Sequence, residues 1–400
     1  MNDFFTRLYI PTSRKDAEKA EKQILELSGL DVEYPEDLEN SNCQKSVSTT
    51  SKLFNLHFDK DNYLRTLHIK NNNIKTAKNK VSEPINLVIT HGFGTALGFF
   101  FKNYKELSEI DGINMYSIDW LGMGLSSRPE FEIDKSLPIE KQISKAEEFF
   151  VDSLEKWRQE MGIEKMNLLG HSFGGYMSSI YALKYPERVN KLILESPMGL
   201  PETPDGVNSF LETGEIPELQ MTINPSSNAI VSEKNPDFFH RFRDLSPTYK
   251  LLLKGSVSLW NNSYTPQGIV RFLGRFGPGL AEKYIGSFRS LNTDESKALS
   301  QYMYHVSAQR GSGEYSLGIL LKPFAFARIP LITRLHNLTM PTYFIYGDRD
   351  WMDRDAGINA SKSMKNHSRF YLVSNAGHNM HIDNPREFNK YVKSIITEEP

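Results

Sequence analysis

The chain has one cysteine, Cys43, in 400 residues. A single thiol excludes an internal disulfide, so the fold must be held by its core, as in proteins of a reducing compartment. Long apolar runs are also missing. The most apolar stretch, SLGILLKPFAFARIPLITRL, is broken by Lys322, Arg328 and two prolines, short of the ~18 or more uninterrupted apolar residues a spanning helix requires. Nor is there an excess of charge of one sign. With 47 basic and 49 acidic residues the net charge is −2, which gives no reason to expect a nucleic-acid partner. The opening MNDFFTRLYIPTSRK has no apolar signal core, and Asp3 with few arginines makes a poor transit peptide. The expectation is an intracellular chain, cytoplasmic or associated with a membrane surface, with the mitochondrion as the alternative.

What the chain does have is a rhythm. PTSRKDAEKAEKQILELSG predicts a first helix, with Ser13 and Asp16 as a capping box and Gly29 at its end. Residues 36 to 50 are polar and read as a linker, KLFNLHFDKDNYLRTLHIK as a β-hairpin, and NNNIKTAKNK as a solvated turn. Short apolar runs then recur at 85–90, 113–120, 166–170, 191–196, 342–347 and 369–374, each expected to be a strand buried on both faces. Helical stretches such as EKQISKAEEFFVDSLEKWRQEMG lie between several of them. This alternation predicts an α/β fold with a mostly parallel, doubly wound sheet. Between Pro197 and about His336 it stops, and aromatic, proline-containing segments suggest an inserted helical cap over the C-terminal sheet edge. The expected organisation is an N-terminal helix and linker (1–50), a first core part (51–199), a cap (200–335) and a second core part (336–400).

The motif with the most chemical content is Gly170-His171-Ser172-Phe173-Gly174, a G-x-S-x-G between a strand and a helix, the context of a nucleophile elbow. Its glycines relieve the clash of a sharp turn, and the helix behind Ser172 favours developing negative charge. Such a serine needs an acid and then a histidine further along the chain. YFIYGDRDW supplies Asp350, with Asp348 and Asp353 as competitors. NAGHNMHIDNP supplies His378, preferred over His381 because the preceding AG frees the loop to turn its imidazole toward the serine. Gly92-Phe93-Gly94 follows the first central strand, so the backbone N–H groups of Phe93 and Phe173 are the expected oxyanion donors. No metal-ligand cluster or phosphate-cradling loop is evident, and no cofactor is expected.

These motifs, together with IDWLGMGLSSRP, YMYHVSAQRGSGEYSLG and KPFAFARIPLITRL, resemble the abhydrolase branch of the α/β-hydrolase superfamily. That branch includes the lipase co-activator of lipid droplets, N-acyl phospholipid lipases, fungal cardiolipin-specific deacylases and lysophosphatidic acid acyltransferases. The likeness covers nearly the whole chain, and it alone implies a lipid substrate. The co-activator carries asparagine at the nucleophile position, whereas this chain has Ser172, so the resemblance leaves hydrolysis available. The branch is also noted for H-x-x-x-x-D, matched here by His378 and Asp383, an acyltransferase-type motif that can equally reflect a helix start at Asp383.

Three functions are therefore in play: deacylation of a phospholipid such as cardiolipin through an acyl-enzyme, transfer of an acyl group from acyl-CoA to lysophosphatidic acid, and a non-catalytic scaffold on a lipid surface. The expected partners are a phospholipid or lysophospholipid and a peripheral membrane or lipid-droplet surface. SLWNNSYTPQGIVRFLGRFGPGLAEKYIGSF, with aromatics beside Arg271, Arg275 and Lys283, suits such an interface as readily as it suits an inward-packed cap.

Overall fold

A computed structural model describes residues 12–34, 49–73, 84–204, 207–215, 221–223, 230–232 and 246–398. Cys43, nearly all of the expected linker, most of the NNNIKTAKNK turn and part of the expected cap lie outside these residues.

Eleven strands are described: β1 Val32–Glu33, β2 Thr49–His57, β3 Tyr63–Asn71, β4 Ile85–Thr90, β5 Ile113–Ile118, β6 Met166–His171, β7 Val189–Glu195, β8 Met221–Ile223, β9 Ile230–Ser232, β10 Thr342–Gly347 and β11 Ser368–Val373. Nine form one sheet in the order β1-β2-β3-β5-β4-β6-β7-β10-β11, and β8 pairs with β9 separately. From β5 through β4, β6, β7 and β10 to β11 every pairing is parallel. The hairpin β2–β3 joins β5 in the antiparallel sense.

Successive side chains of β4 point to opposite faces, as strand geometry dictates: Val88 enters one core cluster, Leu87 and Ile89 the other. On the Val88 face pack α3 (Ile139–Glu160) through Phe150, Leu154 and Trp157, and α4 (Phe173–Lys184) through Met177, Ile180 and Tyr181. On the opposite face lie α2 (Phe101–Leu107) through Tyr104 and Leu107, and the last helix, Pro385–Thr397, through Phe388, Val392 and Ile395. The sheet is therefore covered on both sides, which explains the unbroken apolar runs of its central strands. β11 departs from the expected double burial. It is the edge strand, paired with β10 on one side only, and Leu372 is exposed.

The first helix, α1 (Arg14–Glu26), has the Ser13–Asp16 capping box. Its apolar face, Ala17, Ala20 and Ile24, packs with Leu299, Tyr302 and Val306 of a later helix, Thr293–Ser307. Glu21 is also buried there, paired with Arg65 of β3 at 2.6 Å. Between β7 and β10 the chain runs through α5 (Val207–Thr213), α6 (Pro247–Asn261), α7 (Pro266–Phe272), α8 (Gly277–Ile285), α9 (Thr293–Ser307) and α10 (Leu317–Leu320). The carboxyl ends of β4, β6, β7 and β10 open toward one edge, the position where open α/β sheets hold their ligands.

Candidate active site

Strand β6 ends at His171 and α4 begins at Phe173, so Ser172 alone makes the turn. Its φ is 54° and ψ −112°, a conformation an L-residue adopts only when its surroundings enforce it. Those surroundings are tight. A Cβ at Gly170 would collide with the Gly174 carbonyl, and one at Gly174 would lie 2.5 Å from the Thr90 carbonyl. The Ser172 N–H donates to the Glu195 carbonyl at 2.9 Å, while its carbonyl accepts from Tyr176 and Met198, each at 3.0 Å.

Nε2 of His378 lies 2.9 Å from Ser172 Oγ, and Nδ1 lies 3.2 Å from Asp350 Oδ1. A carboxylate only accepts, so Nδ1 carries the proton and Nε2 is left to accept from the serine hydroxyl. The Asp350 side chain is fully buried and that of His378 is 12% exposed. The other two aspartates are engaged locally. Asp348 accepts from the Ala376 N–H at 3.0 Å. Asp353 caps α11 (Arg354–Ser363), accepting from Ala356.

His381 lies elsewhere. It belongs to the short helix α12 (Met380–Asp383), is buried, and directs Nδ1 to Glu195 Oε1 at 2.7 Å. Asp383 accepts from the Gly377 N–H at 2.8 Å, which ties down the loop directly before His378. It does not cap the last helix, α13 (Pro385–Thr397). Asn384 does, accepting from the Glu387 N–H.

The loop carrying Phe93 lies against the nucleophile: a Cβ on Gly92 would meet Ser172 Cβ at 3.2 Å. Thr95 closes its turn, with Oγ donating to the Gly92 carbonyl at 2.9 Å. His91 braces it from below. The Trp120 N–H donates to Nε2 at 3.1 Å, so Nδ1 holds the proton and donates to the Gly92 carbonyl at 2.8 Å. Burial pushes His91 down to about 4, which keeps it neutral in that role. The Phe93 and Phe173 rings meet edge-on, 6.0 Å apart.

Sequence reasoning missed Ser196. Its hydroxyl donates to Asp350 Oδ2 and lies 3.1 Å from His378 Nδ1, so the Nδ1–H is shared between the acid and this serine. Its φ of 45° is the second constrained turn at this edge. The only signal in the sequence was its place after β7, beside the elbow strand. Among the described residues one group has metal-ligand chemistry, His171, Glu195 and His381, with ligating atoms within 4.8 Å of one another. The 2.7 Å between His381 and Glu195 is a hydrogen-bond separation. Two ligands at about 2.0–2.1 Å on one tetrahedral ion would stand roughly 3 Å or more apart.

A doubly wound sheet with a serine on a strained strand-to-helix turn defines a class, and comparison agrees: residues 85–385 match the alpha/beta hydrolase fold family. The chain belongs to that family. Within it the chain is 33% identical over 391 residues to a probable 1-acylglycerol-3-phosphate O-acyltransferase from Oryza sativa subsp. japonica, covering 96% of this chain and 81% of that protein. It is 32% identical over 314 residues to the human (Lyso)-N-acylphosphatidylethanolamine lipase, covering 77% and 78%. A carboxylesterase structure, CesB from Bacillus subtilis, shares the fold with a TM-score of 0.58 at 16% identity, covering 97% and 99%. The relatives thus include lipid acyltransferases and a phospholipid lipase.

Proposed function

We propose that Ser172, His378 and Asp350 form a catalytic triad, and that the protein removes fatty acyl chains from glycerophospholipids through an acyl-enzyme. The observation carrying this reading is the continuous chain of hydrogen bonds from Asp350 through His378 to a serine on a strained turn. His378 takes the Ser172 proton as Oγ attacks the ester carbonyl, and Asp350 stabilises the imidazolium. The Phe93 and Phe173 N–H groups receive the oxyanion. Collapse of the tetrahedral intermediate expels the lysolipid alkoxide, which takes the proton from His378. Water, deprotonated by the same imidazole, then releases the fatty acid. Cardiolipin is one substrate to be tested within this class.

Acyl transfer is the second reading, favoured by the 33% identity with an acyltransferase over nearly the whole chain. It shares the acyl-enzyme, formed here from acyl-CoA with CoA as the leaving group, and a lysolipid hydroxyl replaces water as acceptor. Asp383 supports neither reading over the other, since it binds the Gly377 amide.

A lipid substrate also requires access to a lipid surface. Among the described residues no helix is long and apolar enough to cross a membrane. Helices α6 to α8 expose Leu251, Leu252, Phe272 and Phe276, the third of these to 89%. Between residues 246 and 292 the sequence holds six basic residues (Lys250, Lys254, Arg271, Arg275, Lys283, Arg289) and one acidic residue, Glu282. Lys254 is paired with Glu215 at 2.7 Å and Arg271 with the buried Glu314, so the exposed apolar face keeps a smaller basic excess, which still suits the surface of an anionic bilayer. We read these helices as the part of a cap that meets it.

The test gives purified protein and Ser172→Ala cardiolipin, phosphatidylcholine, and lysophosphatidic acid with acyl-CoA, and follows products by mass. Serine-dependent fatty-acid release is expected. Serine-dependent transfer without release makes acyl transfer the main reaction, and release unchanged in the variant sinks the triad.

A further inference from the structure

Beneath the triad lies a second histidine–carboxylate pair that none of these steps uses. Glu195 ends β7, opposite His171 in the β6–β7 register, and is wholly buried. Its Oε1 accepts from His381 twice, from Nδ1 at 2.7 Å and from the backbone N–H at 3.4 Å. The His381 ring stacks on Phe100 at 4.3 Å and meets His171 edge-on at 4.8 Å. His171 Nε2 donates to the backbone carbonyl of His378 at 3.0 Å. The segment carrying the base is therefore gripped at residue 378 and again at residue 381 by the ends of two adjacent strands. Glu195 Oε2 and His381 Nε2, both buried, have no hydrogen-bond partner.

An incompletely satisfied buried carboxyl is costly, and its energetic influence on nearby charges is large because little water screens it. Burial pushes Glu195 up to about 7 and His381 down to about 3. The pair is thus a neutral imidazole donating to a carboxyl group that exchanges its proton near neutral pH. The titratable groups facing Glu195 are His171 from β6, His381 from α12, His378 from the loop before it and Asp350 from the loop after β10. Asp383 acts on His381.

We propose that Glu195 is a positioning residue for the catalytic base: held by His381 and flanked by His171, it fixes the loop carrying His378 and adds a second buried carboxylate that favours the imidazolium. This rests on the triad reading above. The sign follows from the charge. An ionised Glu195 stabilises the positive charge that develops on the His378 imidazole as it takes the serine proton, so its removal is expected to leave a weaker base on the plateau and to move the acid limb of activity down.

The experiment measures the rate at which a fluorophosphonate modifies Ser172, from roughly pH 5 to 9, with Ser172→Ala as the blank and thermal melts alongside. This readout does not depend on the natural substrate. Glu195→Gln is expected to lower the plateau rate about three- to tenfold and move the acid limb down by about 0.5 to 1 pH unit. His381→Leu, which leaves the carboxyl only the long backbone N–H contact at 3.4 Å, should do the same. His381→Asn, whose amide N–H can stand in for Nδ1–H, should recover most of that loss. Folded Glu195→Gln with wild-type rate and an unmoved acid limb overturns the proposal. Should that variant not fold, identical behaviour of the Leu and Asn variants at position 381 overturns it instead. Folded wild-type protein that is never labelled sinks the triad, and this inference with it.

Discussion

Two histidine–carboxylate pairs lie three residues apart in one segment and face opposite ways. His378 meets Asp350 at the sheet edge, with Nε2 2.9 Å from Ser172 Oγ, and its side chain retains some contact with solvent. His381 meets Glu195 inside the protein, at a shorter 2.7 Å, with Phe100 stacked on its ring, while the imidazole hydrogen-bonded to the serine hydroxyl is that of His378. Bond length alone would favour the second pair as the stronger one. Chemistry favours the first, because a general base must reach the proton it removes and shed it again. Proximity in sequence thus says little about role. The chain turns between the two residues, so one imidazole faces the substrate side and the other the interior.

The comparison breaks most visibly on substitution of the histidines. His378→Ala should lower kcat on a phospholipid or a simple ester by about 10⁴-fold or more, and His381→Ala by about tenfold or less, in protein shown to be folded by its melt. Equal losses would erase the distinction. Next in size is the acid. Asp350→Asn should cost on the order of 10³- to 10⁴-fold in kcat, whereas Asp353→Asn, at a helix cap, should leave kcat within about twofold and cost at most a few tenths of a kcal/mol of stability, since Asn caps about as well as Asp. Steady-state assays beside urea titrations separate the two effects.

Smaller again is the pH dependence of stability. A carboxyl whose folded-state pKa is raised from 4.5 to about 7 binds its proton more readily folded than unfolded. Its stabilising contribution is fully present below about 4.5 and is lost as pH rises to about 7. Glu195→Gln should therefore gain on wild type as pH rises through that window, by at most about 3 kcal/mol. Melts at several pH values check it, and a constant difference would mean that Glu195 does not titrate there. The smallest effect concerns α6 to α8. Phe272→Ser with Phe276→Ser should weaken binding to anionic vesicles several-fold in co-sedimentation, with little change in hydrolysis of a short soluble ester.

The elbow was legible from sequence because its constraint is local. Gly170 and Gly174 are demanded by contacts a few residues away, and strand and helix flank them. The segments holding Asp350 and His378 were legible for a related reason, since both follow apolar strands whose ends lie on one edge. Choosing among Asp348, Asp350 and Asp353 was harder, because all three share a loop and only the fold shows which of them faces the histidine. Ser196 had no signal beyond its place after β7, and the Glu195–His381 pair had none. They depend on β6 and β7 lying side by side and on a segment almost two hundred residues later folding back over them. β11 was misjudged for a similar reason: its residues are as apolar as those of central strands, and only sheet order reveals that it is an edge.

The central claim is that Ser172, activated by His378, carries the acyl group. The most direct measurement is intact-protein and peptide mass spectrometry after acid quench of enzyme mixed with a phospholipid of defined acyl chains. The account predicts an adduct of one acyl group on the peptide containing Ser172, absent from Ser172→Ala and from His378→Ala, and present in His381→Ala. Turnover with the adduct on a different residue, or an adduct that forms in His378→Ala but not in His381→Ala, would contradict it.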